Sequence, residues 1–222
     1  LRADRLRALG GRGRTPAIDA MAARGALFRR AYCTTPHTSY SLASLMMGTF
    51  ARSVLALPGR SRRHGTLAGW LGEGGYATAG FYPPAVFAVD GDRFGDLRER
   101  HFDFAHRDES YANGPDRVRQ VERWLDARRP HERVFVWVHL FEPHESYERH
   151  PEHPYGDSPQ ERYDAECSAA DDAVRALRES FARRGRRAAW IVTADHGEEF
   201  GEHGGSFHGT SVYDEQVHVP LI

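Results

Sequence analysis

The chain of 222 residues contains no lysine, so all 30 of its basic side chains are arginine, and Asn113 is its only asparagine. We read this bias as the signature of GC-rich coding and not as chemistry. Acidic and basic groups nearly cancel, at a net charge of -1, and the missing basic excess argues against nucleic-acid binding. No apolar stretch is long enough to span a bilayer, and no signal peptide is visible. Two cysteines, Cys33 and Cys167, are too few for a disulfide framework and read as ordinary half-buried thiols.

What is present suits one α/β domain. Hydrophobic residues make up 40% of the chain, enough for a sizeable core. Thr15-Pro16 marks a helix start, followed by a helix over 17–24, a strand over 26–33 and a helix over 39–47 that stops at Gly48. A short helix over 66–72 precedes a strand over 76–82. Residues 83–115, rich in Pro, Gly and Asp, read as irregular. An amphipathic helix covers 116–128, with Val118, Val121, Trp124 and Leu125 on one face. The run 133–139 is almost wholly apolar, as in the interior of a parallel sheet. A long helix over 163–183 and a strand over 188–192 follow, and 219–222 reads as the start of another strand. The alternation predicts an α/β fold with a mainly parallel sheet and helices on both faces.

Charge and hydroxyls concentrate where these elements end. Asp195 and His196 follow the apolar run 188–192 directly, and adjacent carboxylate and imidazole groups are good ligands for a divalent cation. The loop entering the helix at 39–47 carries Thr34, Thr35, Thr38 and Ser39, where free backbone N–H groups favour an anion. Thr38 or Ser39 is either a metal-activated nucleophile or simply the helix cap. His139 and His144 flank Glu142 at the end of the 133–139 strand and can share one cleft. His203 and His208 sit in glycine-rich sequence. Glu198, Glu199 and Glu202 read as solvated, and His101, His106, His131, His150 and His153 as surface residues.

Several stretches together resemble the sulfatase branch of the alkaline phosphatase superfamily across essentially the whole chain. They are Leu1-Arg-Ala-Asp-Arg-Leu6, Thr15 to Gly25, Ser39 to Gly48, Trp137-Val-His139 with Pro143-His144, Thr193 to Gly204 and Tyr213 to Ile222. Their order and spacing are more specific than any one of them. The resemblance implies an alkaline-phosphatase-like fold, with 1–222 as one sulfatase-like catalytic domain that continues beyond both ends. It implies one divalent metal ion (Ca, Mg, Mn or Zn), with room for a second, held by Asp195, His196 and the nucleophile. It places the nucleophile at Thr38, a substrate-anion histidine at His144, and His208 where sulfatases carry an anion-binding lysine. His139, His203 and Ser39 complete the expected substrate-contacting set.

The sequence also departs from that family. The usual cysteine, proline and arginine of the nucleophile motif are replaced by Thr38-Ser-Tyr-Ser-Leu42, and Gly80-Phe-Tyr-Pro-Pro84 stands in place of Gly-Lys-Trp-His. Threonine at the nucleophile resembles phosphoethanolamine and glycerophosphate transferases of bacterial envelopes, and nucleotide phosphodiesterases. The family's N-terminal acidic ligand is expected just upstream of Leu1, since Asp4 falls three residues too late. The function implied is metal-dependent cleavage of a small-molecule or envelope-associated sulfate or phosphate ester through a covalent Thr38 intermediate. Extracytoplasmic or membrane-associated placement is implied, with any tether outside this chain. A non-catalytic binding protein on the same scaffold is the rival reading.

Overall fold

The computed structural model describes residues 1–54, 65–87 and 93–222. In chain order its regular elements are α1 (Pro16–Ala22), β1 (Ala31–Tyr32), α2 (Thr38–Met47), α3 (Ala51–Val54), α4 (Leu67–Glu73), β2 (Ala77–Tyr82) and α5 (Gly95–Glu99). Then come β3 (His106–Glu109), α6 (Gly114–Asp126), β4 (Val134–Val138), α7 (Pro159–Arg183), β5 (Glu199–Phe200), β6 (Ser206–Phe207), α8 (Asp214–Val217) and β7 (His218–Val219).

The scaffold is a parallel three-stranded sheet in the order β3-β2-β4. Ala79 pairs with His106 on one side and with Val136 on the other. Side chains of a strand alternate between its faces, so the sheet feeds two cores. Ala79 and Phe81, with the partly buried Val134, Val136 and Val138, pack on Val118, Val121, Trp124 and Leu125 of α6 and on Leu177 and Phe181 of α7. Tyr82, with Phe135 and Trp137 against the same cluster, faces Tyr40 and Met46 of α2, Ala68 of α4, and Phe94, Phe102 and Phe104. Helices therefore cover both faces, as expected. Gly80 is required between them, because a Cβ there would lie 2.6 Å from the Phe104 ring.

Helix ends are fixed by specific polar groups. α7 starts four residues before the expected Tyr163, since Ser158 and Glu161 form a reciprocal capping box ahead of Pro159. α6 likewise starts early, capped by the Asn113 side chain accepting from Asp116 N. Thr15 is not a side-chain cap, and its hydroxyl turns to Asp19. The first turn of α1 is capped across the fold, where the buried Asp171 carboxylate accepts the N–H groups of Ala17 and Ile18 at 2.9 and 2.8 Å.

Three strand expectations are corrected. The region 83–115 contains β3, whose sequence His-Arg-Asp-Glu carries no apolar signal because it is an edge strand paired only with β2. The strand expected over 26–33 forms a ladder only at Ala31–Tyr32, antiparallel to β7. The Phe28 N–H bonds Leu221 O one residue out of that register, a slip at Pro220, which has no N–H to donate. The run 188–192 forms no ladder of its own among the described residues. Pairing begins at Val192, which exchanges backbone hydrogen bonds with Ile222. Trp190 turns inward onto Phe181, while Ile191 is left exposed. Cys33 and Cys167 are free thiols.

Candidate active site

Thr38 is the first residue of the ten-residue helix α2, with the extended His37 before it. At that position the backbone N–H groups of the first turn have no partners inside the helix, and the helix dipole favours a negative oxygen. The Thr38 Oγ1 lies 3.0 Å from His196 Nε2. His196 in turn places Nδ1 2.8 Å from Gly197 O. A carbonyl only accepts, so Nδ1 carries the proton and Nε2 presents a lone pair. Burial pushes the His196 pKa down to about 4, against the opposing pull of Asp195, so the ring is neutral at physiological pH.

Asp195 closes the group. Its Oδ2 lies 3.4 Å from His196 Nε2, and its Oδ1 accepts the His196 backbone N–H at 3.0 Å. Burial resists ionisation of Asp195, but His196, His139 and the Thr38 hydroxyl outweigh it, holding the carboxyl well below its usual range. Thr38, His196 and Asp195 thus bring three lone-pair atoms together with one hydroxyl proton to share. The 3.0 and 3.4 Å separations match the roughly 3.3 Å between ligand atoms in a tetrahedral site with bonds near 2.0–2.1 Å. The donor set suits a divalent cation.

Backbone pairing sets this loop. Gly197 N–H bonds Gln216 O at 2.8 Å, and a Cβ on Gly197 would meet Glu215 O at 2.0 Å, so only glycine permits the approach. The N-terminal segment locks it from the other side. Leu1 N donates to His196 O at 2.9 Å, and Arg2 Nη1 donates to Glu198 O at 3.0 Å and to Glu202 at 2.6 Å. Asp4 pairs with Arg2 and Arg5, not with the Thr38 group.

His208 stacks on the His196 ring at 3.9 Å, and its Nδ1 bonds the Glu198 carboxylate at 3.0 Å. His144 lies edge-on to His208 at 5.7 Å and flat against Phe141 at 4.3 Å. His139 follows β4, with its N–H on Phe81 O. Its pKa is lowered by burial, while the charge of nearby Asp195 opposes the shift. The structure therefore gathers Thr38, Asp195, His196, His208, His144 and His139 in one region. Two candidates lie apart. Ser39 is 1% exposed and its hydroxyl has no hydrogen-bond partner, so it turns into the protein. His203 bonds Glu215 at 2.5 Å and stacks on Tyr213 at 3.5 Å.

The glutamates read as solvated need correcting. Glu198 and Glu199 are buried, and Glu202 pairs with Arg2. Burial resists ionisation of Glu198, but the His208 hydrogen bond outweighs it and keeps the carboxyl below its usual range. Glu199 accepts from the N–H groups of His203 and Gly205 and from Gln216, which ties down the loop before His208. Glu199, His203 and Glu215 bring ligand atoms within 4.8 Å of one another, but these hydrogen bonds already engage them. Sequence reasoning also missed Glu166, whose carboxylate on α7 holds the His144 loop. The one available signal was for Glu198, since the i, i+2 spacing from His196 puts both side chains on one side of an extended segment.

A hydroxyl at a helix terminus, a carboxylate–imidazole pair and flanking histidines thus gather in one region beyond the end of β4. A family model described as Sulfatase matches residues 1–222, so the chain belongs to the sulfatase family. No curated protein sequence matches it closely enough to count as a relative. Among solved structures it is similar to the C-terminal periplasmic domain of phosphoethanolamine transferase EptC from Campylobacter jejuni. The TM-score is 0.75 at 16% identity, covering 99% of this chain and 74% of that one. It is also similar to the phosphonate monoester hydrolase of Agrobacterium radiobacter, with a TM-score of 0.68 at 18% identity, covering 99% of this chain and 65% of that one. A third is EptA, an integral membrane lipooligosaccharide phosphoethanolamine transferase from Neisseria meningitidis. Its TM-score is 0.70 at 17% identity, and this chain spans 99% of itself and 45% of that protein. Among the described residues no helix is long and apolar enough to cross a membrane.

Proposed function

We propose that this chain cleaves a phosphate or sulfate ester with Thr38 as the nucleophile. The observation that carries this reading is the Thr38 Oγ1 set at a helix N-terminus, 3.0 Å from the lone pair of His196 and beside the ionised Asp195. Thr38, Asp195 and His196 would hold one divalent cation, which when bound neutralises ester oxygens and lowers the pKa of a hydroxyl. The imidazole ligand favours a zinc- or manganese-type ion over calcium or magnesium.

In this mechanism Thr38 Oγ1 gives up its proton to water, attacks in line and joins the phosphoryl or sulfuryl group as the bond to the leaving alcohol breaks. The free N–H groups at the start of α2 stabilise the developing negative oxygens. His208 donates Nδ1–H to Glu198 and enters the step as the imidazolium, so its Nε2–H faces the leaving oxygen and supplies the proton. His144 holds a non-bridging oxygen, and His139 keeps Asp195 charged. Water, or an acceptor alcohol, then takes the group from Thr38. Transfer to an alcohol is the second reading, favoured by threonine in place of the family's cysteine. An extracytoplasmic setting fits both, with an envelope-associated or small-molecule ester as substrate.

The test compares aryl phosphate, phosphodiester and aryl sulfate side by side, with intact-mass detection of the covalent adduct. Thr38→Ala should abolish the adduct and cut kcat by at least about 10³-fold. Undiminished turnover by that variant would sink the mechanism.

A further inference from the structure

Glu166, in the N-terminal third of α7, is 2% exposed and yet bonds no side chain among the described residues. Its Oε2 accepts the backbone N–H of His144 at 2.9 Å, and its Oε1 accepts that of Glu148 at 2.7 Å. These two donors bracket the loop that carries His144. Among the described residues no cation pairs with the carboxylate, and burying a charge is costly unless it is paired and hydrogen-bonded. On its open side the loop faces a cleft of about 510 Å³, lined by Phe141, Glu142, His144, Glu145, Glu148 and Glu166 among others.

We propose that Glu166 is a positioning residue that clasps the His144 loop through both backbone N–H groups and so aims the imidazole at the ester oxygens. This rests on the assignment of His144 to the ester, made above. An ionised carboxylate can accept both bonds. Once protonated, it points an O–H toward one of the two N–H donors, and that half of the clasp is lost. The balance falls near neutrality. Burial, opposed by the two backbone N–H groups and reinforced by the charges of Glu142 and Glu148, pushes the carboxyl up to about 7. The other ionisable groups around it are His144, Glu145 and Tyr147 on the loop, Asp116 across the cleft on α6, and Cys167 on α7 itself. The clasp is complete above that midpoint and half open below it.

The test is a ¹H–¹⁵N titration of the chain over roughly pH 5.5 to 8.5. The amide protons of His144 and Glu148 should move downfield together, with a midpoint near 7. The Glu148 amide, four residues from His144, reports the carboxylate independently. In Glu166→Gln both amides should stay still. kcat/KM toward an aryl ester should rise about tenfold across the same midpoint in the parent chain. The variant should remain at the low plateau and match the parent at the acid end. Amides that do not titrate in the parent overturn the proposal, as does a variant that keeps the parent's alkaline kcat/KM. If the chain turns over no ester, the function proposed above falls, while the amide titration still decides whether the clasp exists.

Discussion

Thr38 and His144 serve the same region, but the chain positions them in different ways. Thr38 is fixed by regular structure, as the first residue of a helix whose buried face packs in the main core. His144 sits on a loop with no regular structure and is held by one buried carboxylate reaching over from α7. A helix terminus is over-determined by its core contacts and hydrogen bonds. A loop held by one polar group depends on the charge state of that group. The difference predicts that the nucleophile end is robust to pH and the anion-binding end is not.

The sharpest way to break this comparison is at the proposed metal ligands. Asp195→Asn keeps the shape of the side chain but removes the charge that offsets a cation. Divalent metal measured by mass spectrometry after dialysis should fall from stoichiometric to near zero, at least a hundredfold loss of affinity. Retained metal would refute Asp195 as a ligand. His203→Ala, by contrast, should leave metal content unchanged, since His203 bonds Glu215 outside the Thr38 group.

A scaffold change should do the reverse. Trp124 is 6% exposed and meets Phe81 edge-on at 6.4 Å. Trp124→Ala should cost about 3–5 kcal/mol in denaturant unfolding. Metal bound by the remaining folded protein should be unchanged. Loss of metal in parallel with stability would mean that the two regions are not separable.

This division also explains what could be read from sequence. The apolar run of β4, the amphipathic face of α6 and the Asp195-His196 pair each announce themselves in a short window, because their periodicity or chemistry is local. β3 was invisible, since an edge strand of His-Arg-Asp-Glu has no apolar alternation. Asp171 and Glu166 are unreadable as functional groups for a different reason. Each is a buried carboxylate whose partners are backbone N–H groups brought in from elsewhere in the fold, and sequence spacing carries no trace of such pairing. His203 and Ser39 suit the chemistry by residue type, but the fold sets His203 on Glu215 and buries Ser39.

The smallest effect is expected at Ser158, and it tests whether the Glu166 clasp depends on the helix as a whole or only on its own turn. Ser158 accepts from Glu161 N–H, and Glu161 accepts from Ser158 N–H, so the pair satisfies donors that the helix cannot. Ser158→Ala removes one of these bonds and frays the first turn. Thermal unfolding should shift down by about 2–4 °C, as for a typical lost cap in a chain of this size. Glu166 lies beyond the first turn, and its own neighbours Tyr163 and Cys167 are fully buried, so fraying should stop short of it. The His144 and Glu148 amide positions should therefore match the parent at every pH. Broadened or displaced amides in Ser158→Ala would show that the loop is held by the helix terminus and not by the carboxylate alone. The contrast with Thr38 would then become one of degree.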